Sequence, residues 1–149
     1  MAAYFLDTST VLKRYVHETG TAWVQTLAAP AARHSLFIVR ITLTETVAAI
    51  TRRERGGTLS PPDAANALGD FQVDFDHQYR IVEVSARLVA QAAAIARKHA
   101  LRGYDAVQFA AALEIHAADP TLTLLSADAT LNAAAAAEGL AVDDPNAHP

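Results

Sequence analysis

The chain has 149 residues, of which 52% are hydrophobic and 19% charged, and it contains no cysteine. This length suits a single domain over residues 1–149, with an ordered core at about 3–145, and the composition excludes a disordered chain. The absence of cysteine excludes disulfide bonds, thiolate metal sites and thiol nucleophiles. The net charge of −4 argues against a generic basic surface for nucleic acids, and no Lys or Arg follows Arg102.

The amino terminus lacks a basic segment followed by a long apolar run, so a signal peptide is not expected. No stretch reaches about 18 apolar residues without a charged or strongly polar break, so no membrane-spanning helix is expected either. We therefore expect a cytoplasmic protein that does not bind membranes.

Short apolar runs alternate with stretches of helical spacing along the chain. The runs have the length and composition of strands buried on both faces, and they cover residues 4–6, 36–39, 80–84, 122–125 and, as a short fifth candidate, 140–142. Helical spacing predicts helices at about 8–18, 21–27, 42–55, 60–77, 85–99, 104–117 and 129–138. Strands separated by helices predict an α/β fold, in which a parallel sheet of four to five strands is sandwiched between helices.

Three finer expectations accompany these elements. In the helix over 42–55, the spacing places Leu43, Val47 and Ile50 on the inward face. The tail from Asp143 onward is expected to be frayed. The six histidines show no pair at metal-ligand spacing on one helix, and we interpret them as surface or turn residues.

Four acids stand at junctions between an apolar run and a helix. Asp7 and Asp128 each directly follow a predicted strand, while Glu45 and Asp105 lie near the starts of predicted helices. Each acid alone has a simple structural explanation, as a helix cap or as a charge favoured by the helix dipole. However, the carboxyl ends of parallel strands meet at one edge of a sheet, so these acids are candidates for a common site.

The surroundings of these acids favour a functional role. Asp105 opens a helix that is almost wholly apolar, and a carboxylate at the mouth of a buried helix is costly unless it is paired or bound to metal. Clustered carboxylates repel one another, and a hard divalent cation such as Mg²⁺ or Mn²⁺ relieves that repulsion. Such ions can activate water and polarise a phosphate, so the constellation suggests phosphodiester hydrolysis.

The same residues carry a resemblance to a known family. The ordered set resembles a PIN-domain ribonuclease, and within that group the VapC toxins of bacterial type II toxin–antitoxin modules. The resemblance extends from Tyr4 to about Pro145 and rests on these motifs: Asp7-Thr8-Ser9 with Lys13 and Tyr15, Thr44-Glu45 before Arg52-Arg53, the segment Leu101-Arg102-Gly103-Tyr104-Asp105-Ala106-Val107, and Ser126-Ala127-Asp128 with Leu131 and Gly139-Leu140.

The resemblance implies a function and a set of site residues. It implies that an acidic quartet binds Mg²⁺, with Mn²⁺ able to substitute, and positions the attacking water; the matching residues are Asp7, Glu45, Asp105 and Asp128. Ser9, Ser126 and Asn132 match supporting polar positions. The implied activity is a metal-dependent endoribonuclease, the toxin of a VapBC-type module. The implied partners are an RNA substrate, a cognate VapB-like antitoxin that blocks the acidic site, and a second copy in a homodimer.

Basic and aromatic side chains near these motifs have two interpretations each. Lys13 and Arg14 follow Asp7 closely in sequence and are candidates for a phosphate contact with RNA, whereas the cluster Arg52, Arg53 and Arg55 is equally well explained as a charged helix end. A further set belongs either to the core or to a groove for the antitoxin: Tyr15, Trp23 and Phe71.

Two other classes of protein remain as alternatives. One is a catalytically inactive PIN-fold module that binds RNA or another partner, although none of the four acid positions is replaced. The other is a phosphoacceptor signalling domain, which also places Asp at strand ends. That class needs adjacent acids after the first strand and a Lys after the last one, whereas Thr8 follows Asp7 here and no Lys lies beyond Lys98.

Overall fold

A computed structural model describes all residues from Met1 to Pro149. It contains five strands, β1 (Ala3–Leu6), β2 (Ser35–Val39), β3 (Arg80–Val82), β4 (Thr123–Leu125) and β5 (Ala141–Asp143). Seven α-helices connect them: α1 (Thr8–Tyr15), α2 (Thr21–Ala28), α3 (Thr42–Arg55), α4 (Pro61–His77), α5 (Ala86–His99), α6 (Gly103–Ala118) and α7 (Ala129–Ala137). Two short 3₁₀ helices cover Pro30–Ala32 and Pro145–Ala147.

The five strands form one parallel sheet in the order β3-β2-β1-β4-β5. The first strand of the chain therefore lies in the middle, and the connections leave it toward β2 on one side and return to β4 on the other. Leu6 of β1 pairs with Leu125 of β4, so the residues that follow these two strands emerge side by side. A reversal of strand order of this kind creates a crevice at the carboxyl ends of the strands.

Alternate side chains of each strand point to opposite faces, and both faces are buried. Phe5 and Leu124 pack into a cluster with α5, α6 and α7, whereas Leu6 and Leu125 pack into a second cluster with α1, α2 and α4. Helix α3 contributes Ile50 to a third, smaller cluster with α1 and α4. The predicted sandwich of helices around a parallel sheet is thus confirmed, and no helix is long and apolar enough to cross a membrane.

Helix starts follow the local capping chemistry. Ser60 accepts a hydrogen bond from the Asp63 amide at the start of α4, and Ser85 accepts one from the Leu88 amide at the start of α5. Both bonds satisfy amides that have no partner inside the helix. The predicted bounds of α3 match the structure at both ends, and the other helices agree within a few residues.

The expected inward face of α3 is wrong in one position. Val47 is 38% exposed, and the buried side chains are Thr42, Thr46 and Ile50, which follow one another at intervals of four residues. Successive residues four apart lie on one stripe of a helix, so two threonines take places that hydrophobicity alone assigned to larger apolar side chains.

The tail is ordered, contrary to the sequence-based expectation. Pro145 is buried and lies against Gly20, whose φ is +87° and where a Cβ atom would come within 2.3 Å of the Pro145 carbonyl oxygen. The ring of His148 stacks on Trp23 with 4.0 Å between centroids, and its Nε2 lies 2.9 Å from Asp143 Oδ1. These contacts attach the last residues to the start of α2.

Candidate active site

Two of the four acids lie directly at the central strand ends. Asp7 follows β1 and caps α1, while Asp128 follows β4 after two residues and caps α7. The Asp7 amide donates to the Leu125 carbonyl oxygen at 3.1 Å, which continues the sheet by one more bond. The register of β1 and β4 therefore places Asp7 next to Ser126 at the carboxyl edge of the sheet.

The carboxylate of Asp7 is buried, with only 4% of the residue exposed. One of its oxygens accepts hydrogen bonds from the Ser9 hydroxyl and the Thr10 amide, and the other accepts one from the Ser126 hydroxyl at 2.8 Å. Burial raises the pKa of Asp7 to about 6; the bonds from Ser9, Ser126 and Thr10 lower it and the nearby charge of Asp105 raises it. The chain provides donors to this carboxylate but no cation.

The two serines also hold the segment after β4. The Ala127 amide donates to Ser9 Oγ and the Asp128 amide donates to Ser126 Oγ, each at 3.0 Å. Each hydroxyl thus accepts from the backbone and donates to Asp7. The serines therefore lock the Asp7 carboxylate to the loop that carries Asp128.

Asn132 supports the same loop from α7. Its Nδ2 donates to the Ser126 carbonyl oxygen at 2.7 Å, and its Oδ1 is buried without a hydrogen-bond partner. Asp128 accepts from the amides of Thr130 and Leu131 through one oxygen, Oδ1. Of the sequence-predicted residues, Ser9 and Ser126 therefore bond directly to Asp7, while Asp128 and Asn132 bond to Ser126.

Glu45 belongs to a second hydrogen-bonded group on the β2 side of the edge. Its Oε1 accepts from Gln108 Nε2 at 2.8 Å and from the Thr8 hydroxyl at 3.0 Å. Gln108 Nε2 also lies 3.1 Å from the hydroxyl oxygens of Thr8 and Thr42. Since Gln108 is only 2% exposed, α6 fixes the direction of the Glu45 carboxylate from inside the fold.

Asp105 connects the two groups electrostatically. Its pKa is raised by burial, then by the charges of Asp128 and Glu45, and is lowered only by Arg102. Asp105 in turn raises the pKa of Asp7. The first turn of α6 thus places one carboxylate within electrostatic reach of the other three.

The four acids share an edge, but they are not gathered into a ready-made metal site. Nowhere in the chain do three or more His, Asp or Glu side chains stand close enough together to hold a metal ion as they are. The donor set nevertheless suits a hard cation, since it consists of carboxylate oxygens. The pKa values of Asp7 and Asp105 are raised by burial first and by like charge second, and a bound divalent ion would favour the charged forms that both effects disfavour.

Lys13 and Arg14 point away from the acids. Lys13 is buried and lies 3.9 Å from a Glu18 oxygen, and Arg14 forms an ion pair with Asp74 at 3.1 Å. An α-helix rises 1.5 Å per residue, so these positions on α1 are roughly 10 Å along the axis from Asp7. Closeness in sequence does not bring them to the carboxyl edge of the sheet.

Sequence reasoning missed the residues that orient Glu45. Gln108 is the one strongly polar residue between Asp105 and Leu113 in α6, and it follows Asp105 by three positions, so both lie on one side of the helix. That isolated polar residue was an available signal. The threonines, Thr8 and Thr42, gave no comparable signal, because a Thr near a helix start is usually explained by capping.

Comparisons with known proteins agree with this geometry. A family model of the PIN domain matches residues 4–137. Ribonuclease VapC45 of Mycobacterium tuberculosis strain CDC 1551 and Ribonuclease VapC49 of strain H37Rv are each 34% identical to this chain over 144 residues, 95% of both proteins. The crystal structure of VapBC2 from Rickettsia felis, bound to a DNA fragment from their promoter, shares the fold with a TM-score of 0.64 at 14% identity, over 95% of this chain and 98% of that one. The chain belongs to the PIN-domain family, in its VapC-type branch.

Proposed function

We propose that the protein is a metal-dependent endoribonuclease, using Mg²⁺ or Mn²⁺, that acts as the toxin of a VapBC-type module. The observation that carries this proposal is the Asp7 carboxylate, which is buried at the carboxyl edge of the sheet with serine donors, acidic neighbours and no cation. A buried charge of this kind costs stability, and strongly shifted carboxylates in a crevice are typical of functional sites. The ribonuclease names of the two mycobacterial relatives support the choice of reaction.

In this proposal the acids Asp7, Glu45, Asp105 and Asp128 hold the metal. A bound Mg²⁺ or Mn²⁺ would supply water activation and charge stabilisation at the scissile phosphate. Ser9 and Ser126 fix the two oxygens of Asp7, and Asn132 steadies the Ser126 backbone. Gln108 and Thr8 fix one oxygen of Glu45 and leave the other without a donor from these two side chains.

The partners of the module are part of the same proposal. The Rickettsia felis neighbour is a VapBC complex, which supports a VapB-like antitoxin as the protein partner of this chain. Tyr15 and Trp23 are half-buried against the cluster that contains Phe71, so they retain exposed edges that an antitoxin segment would contact. A homodimer is proposed on the family resemblance.

The test is cleavage of an end-labelled RNA pool by the purified protein with Mn²⁺, with EDTA, and with the variant Asp7→Asn. We expect cleavage with Mn²⁺ only, and a loss of at least about 100-fold in Asp7→Asn, since replacing even an outer-shell partner of a metal commonly costs 10- to 100-fold. Asp63→Asn is the matched control, because Asp63 is an exposed acid in the first turn of α4 and lies outside the site. That control is expected to cut like the wild type.

A parallel titration with Mn²⁺, followed by calorimetry, separates the possible failures. Binding of Mn²⁺ that is lost in Asp7→Asn, without cleavage of the pool, would mean that the pool lacks the substrate. Neither binding nor cleavage by folded protein would refute the enzyme and leave a non-catalytic PIN-fold module.

A further inference from the structure

A cavity opens directly beside Glu45, between the first half of α3 and the start of α6. Its volume is about 400 Å³, which falls within the range of small-molecule sites. Ile41, Ala48 and Ala49 line it with apolar side chains, and Arg52 and Tyr104 also line it. We call this space the Glu45 cavity. It offers an apolar surface, an aromatic ring and a cation within one small volume next to the acids.

Tyr104 is unusual among the aromatic residues because 65% of it is exposed. The other large exposed hydrophobic residues are aliphatic. Burial in the core therefore does not explain this ring. Tyr104 immediately precedes Asp105, so a planar group stacked on it would place its attached backbone beside the acidic edge. Any nucleobase can stack on an exposed ring of this kind, so the contact does not require a particular RNA sequence.

Arg52 is the cation that faces the same space. It follows Glu45 by seven residues, two helical turns, and therefore lies on the same side of α3 about 10 Å further along. Its neighbour Arg53 is held by Glu18 at 3.2 Å, and Arg14 is held by Asp74, whereas Arg52 forms no ion pair. An exposed arginine at this distance from the acids is free to meet a phosphate other than the one being cut.

A second cavity lies on the far side of Tyr104 and shows why a nucleotide suits the first one better. The second cavity, of about 490 Å³, is lined mainly by the apolar side chains of α5 and α6, including Val89, Ala92 and Val107. Arg102 is its one charged lining residue, none of the four acids lines it, and nothing indicates what covers it. The Glu45 cavity is instead lined by one of the acids, so a nucleotide held there lies beside them, and its apolar, hydroxyl and cationic side chains match a base with its phosphate.

We propose that the Glu45 cavity is a nucleobase subsite for single-stranded RNA, in which one base stacks on Tyr104 and a neighbouring phosphate pairs with Arg52. This inference rests on the proposed ribonuclease function and adds the part of the substrate that flanks the cleaved bond. The stacking would give affinity with modest base preference, because every base presents a planar face to the ring.

The test measures binding of a fluorescein-labelled RNA decamer by anisotropy, with Asp7→Asn as the background so that cleavage does not intervene. We expect Tyr104→Ala to weaken binding roughly tenfold and Tyr104→Phe to leave it nearly unchanged, since the ring and not the hydroxyl does the stacking. Arg52→Ala is expected to lower the slope of log affinity against log salt by about 0.7, the value for one phosphate of a single strand. Arg55→Ala, on the same helix and outside the cavity, is the control and keeps the parent slope.

Decamers with one abasic nucleotide at successive positions locate the stacked base. At one position the missing base should weaken binding as much as Tyr104→Ala does, and the two losses should not add. Equal losses in Arg55→Ala and Arg52→Ala, or unchanged RNA affinity in Tyr104→Ala, would overturn the subsite. If Tyr104→Ala instead changed the oligomeric state in solution and kept its RNA affinity, this face would be assigned to a protein partner.

The binding measurement does not depend on catalysis, so the two proposals fail separately. RNA affinity that depends on Tyr104, together with an otherwise wild-type protein that neither binds Mn²⁺ nor cuts RNA, would keep the subsite and reject the nuclease. Cleavage by the otherwise wild-type protein with the same kcat/KM for Tyr104→Ala would keep the nuclease and reject the subsite.

Discussion

Two charged groups withdrawn from solvent, Asp7 and Arg14, have surroundings of different kinds. At the carboxyl edge of the sheet, Asp7 receives hydroxyl and amide donors, and its charged neighbour Asp105 has the same sign. At the other end of α1, Arg14 is partly buried together with the opposite charge of Asp74. The surroundings of Asp7 raise the free energy of its charged form, whereas the ion pair stabilises the charged forms of Arg14 and Asp74.

The Arg14 cluster, formed by Arg14, Tyr15, Asp74, Gln78 and Tyr79, is complete within the protein. The Arg14 guanidinium donates to Gln78 Oε1 at 2.7 Å and to the Tyr79 hydroxyl at 3.1 Å, and its carbon lies 5.4 Å from the centre of the Tyr79 ring. The Tyr15 hydroxyl donates to Asp74 at 2.7 Å. Both terminal nitrogens of Arg14 and the Tyr15 hydroxyl have acceptors within the protein, and such pairing is the condition under which a charge withdrawn from water is tolerated.

The difference separates a structural network from a functional one. A buried ion pair that is fully hydrogen-bonded contributes to a unique fold, and removing one partner leaves the other uncompensated. A buried carboxylate without a cation reduces stability, and in the proposed function a metal ion of opposite charge offsets that loss. The three predictions that follow test this contrast, beginning with the largest expected effect on free energy.

Arg14→Met should destabilise the protein by about 3 kcal/mol, because it leaves the Asp74 carboxylate and two phenols without their cation. Arg40→Met is the matched comparison, since Arg40 pairs with Glu83 at the surface, where side chains are about half exposed. Loss of that exposed pair should have little effect on stability, because solvent and salt screen it. Urea unfolding of both variants measures the difference, and similar losses for the two would remove the contrast.

Asp7→Asn should stabilise the metal-free protein by about 2 kcal/mol at pH 7.5. The pKa of Asp7 is about 6 when folded and about 3.9 when unfolded, so the folded state binds the proton more tightly. The contribution of Asp7 to stability therefore falls as pH rises from about 4 to about 6 and stays low above that. The gain of the variant should vanish near pH 4.

Urea unfolding of the wild type and Asp7→Asn in EDTA across this pH range measures the sign of the stability difference between them. Addition of Mn²⁺ at pH 7.5 should then stabilise the wild type and not the variant, because a ligand that binds only the folded state shifts the equilibrium toward it. A variant less stable than the wild type at pH 7.5 would show that Asp7 is a structural acid.

Gln108→Leu should reduce cleavage about tenfold, about 1.4 kcal/mol, mainly in kcat, and should weaken Mn²⁺ binding. The substitution removes the donor that orients Glu45. It also removes a bond to the buried Thr42 hydroxyl, but it takes away the unpartnered Gln108 Oε1 from the interior, and these two effects on stability oppose each other. Leu88→Ala, a cavity-forming change between α5 and the sheet, serves as a control for a purely structural effect.

The two variants should differ in which property changes, the stability or the Mn²⁺ affinity. Leu88→Ala is expected to lose stability and keep Mn²⁺ affinity, and Gln108→Leu is expected to do the reverse. Unchanged Mn²⁺ affinity in Gln108→Leu, measured by calorimetry, would contradict the positioning role.

The sequence was sufficient to predict the elements and the edge at which the acids lie, for clear physical reasons. Apolar runs such as Leu36–Val39 are long enough and apolar enough to be strands buried on both faces, and capping residues such as Ser85 mark helix starts. Since strand ends in a parallel sheet share one edge, the positions of Asp7 and Asp128 followed from the strands alone.

Tertiary contacts decided the features that the sequence did not reveal. The inward place of Thr46 in α3 and the partners of Arg14 depend on which helices pack together, and the Glu45 carboxylate is oriented by Gln108, which lies 63 positions later. The sequence predicts a frayed tail, whereas Pro145 packs against Gly20, which lies near the other end of the chain. Neither local segment indicates this contact. Contacts between residues far apart in the chain cannot be predicted from local sequence patterns.

The central position of β1 has a consequence for the order of synthesis. Asp7 emerges from the ribosome early, but its hydrogen-bond partner Ser126 lies 119 positions later. A nascent chain therefore carries the first three acids without β4, and the edge of β1 that β4 will cover stays unpaired until then. Asp128 arrives last of the four. The acidic edge is thus assembled only when translation is nearly complete.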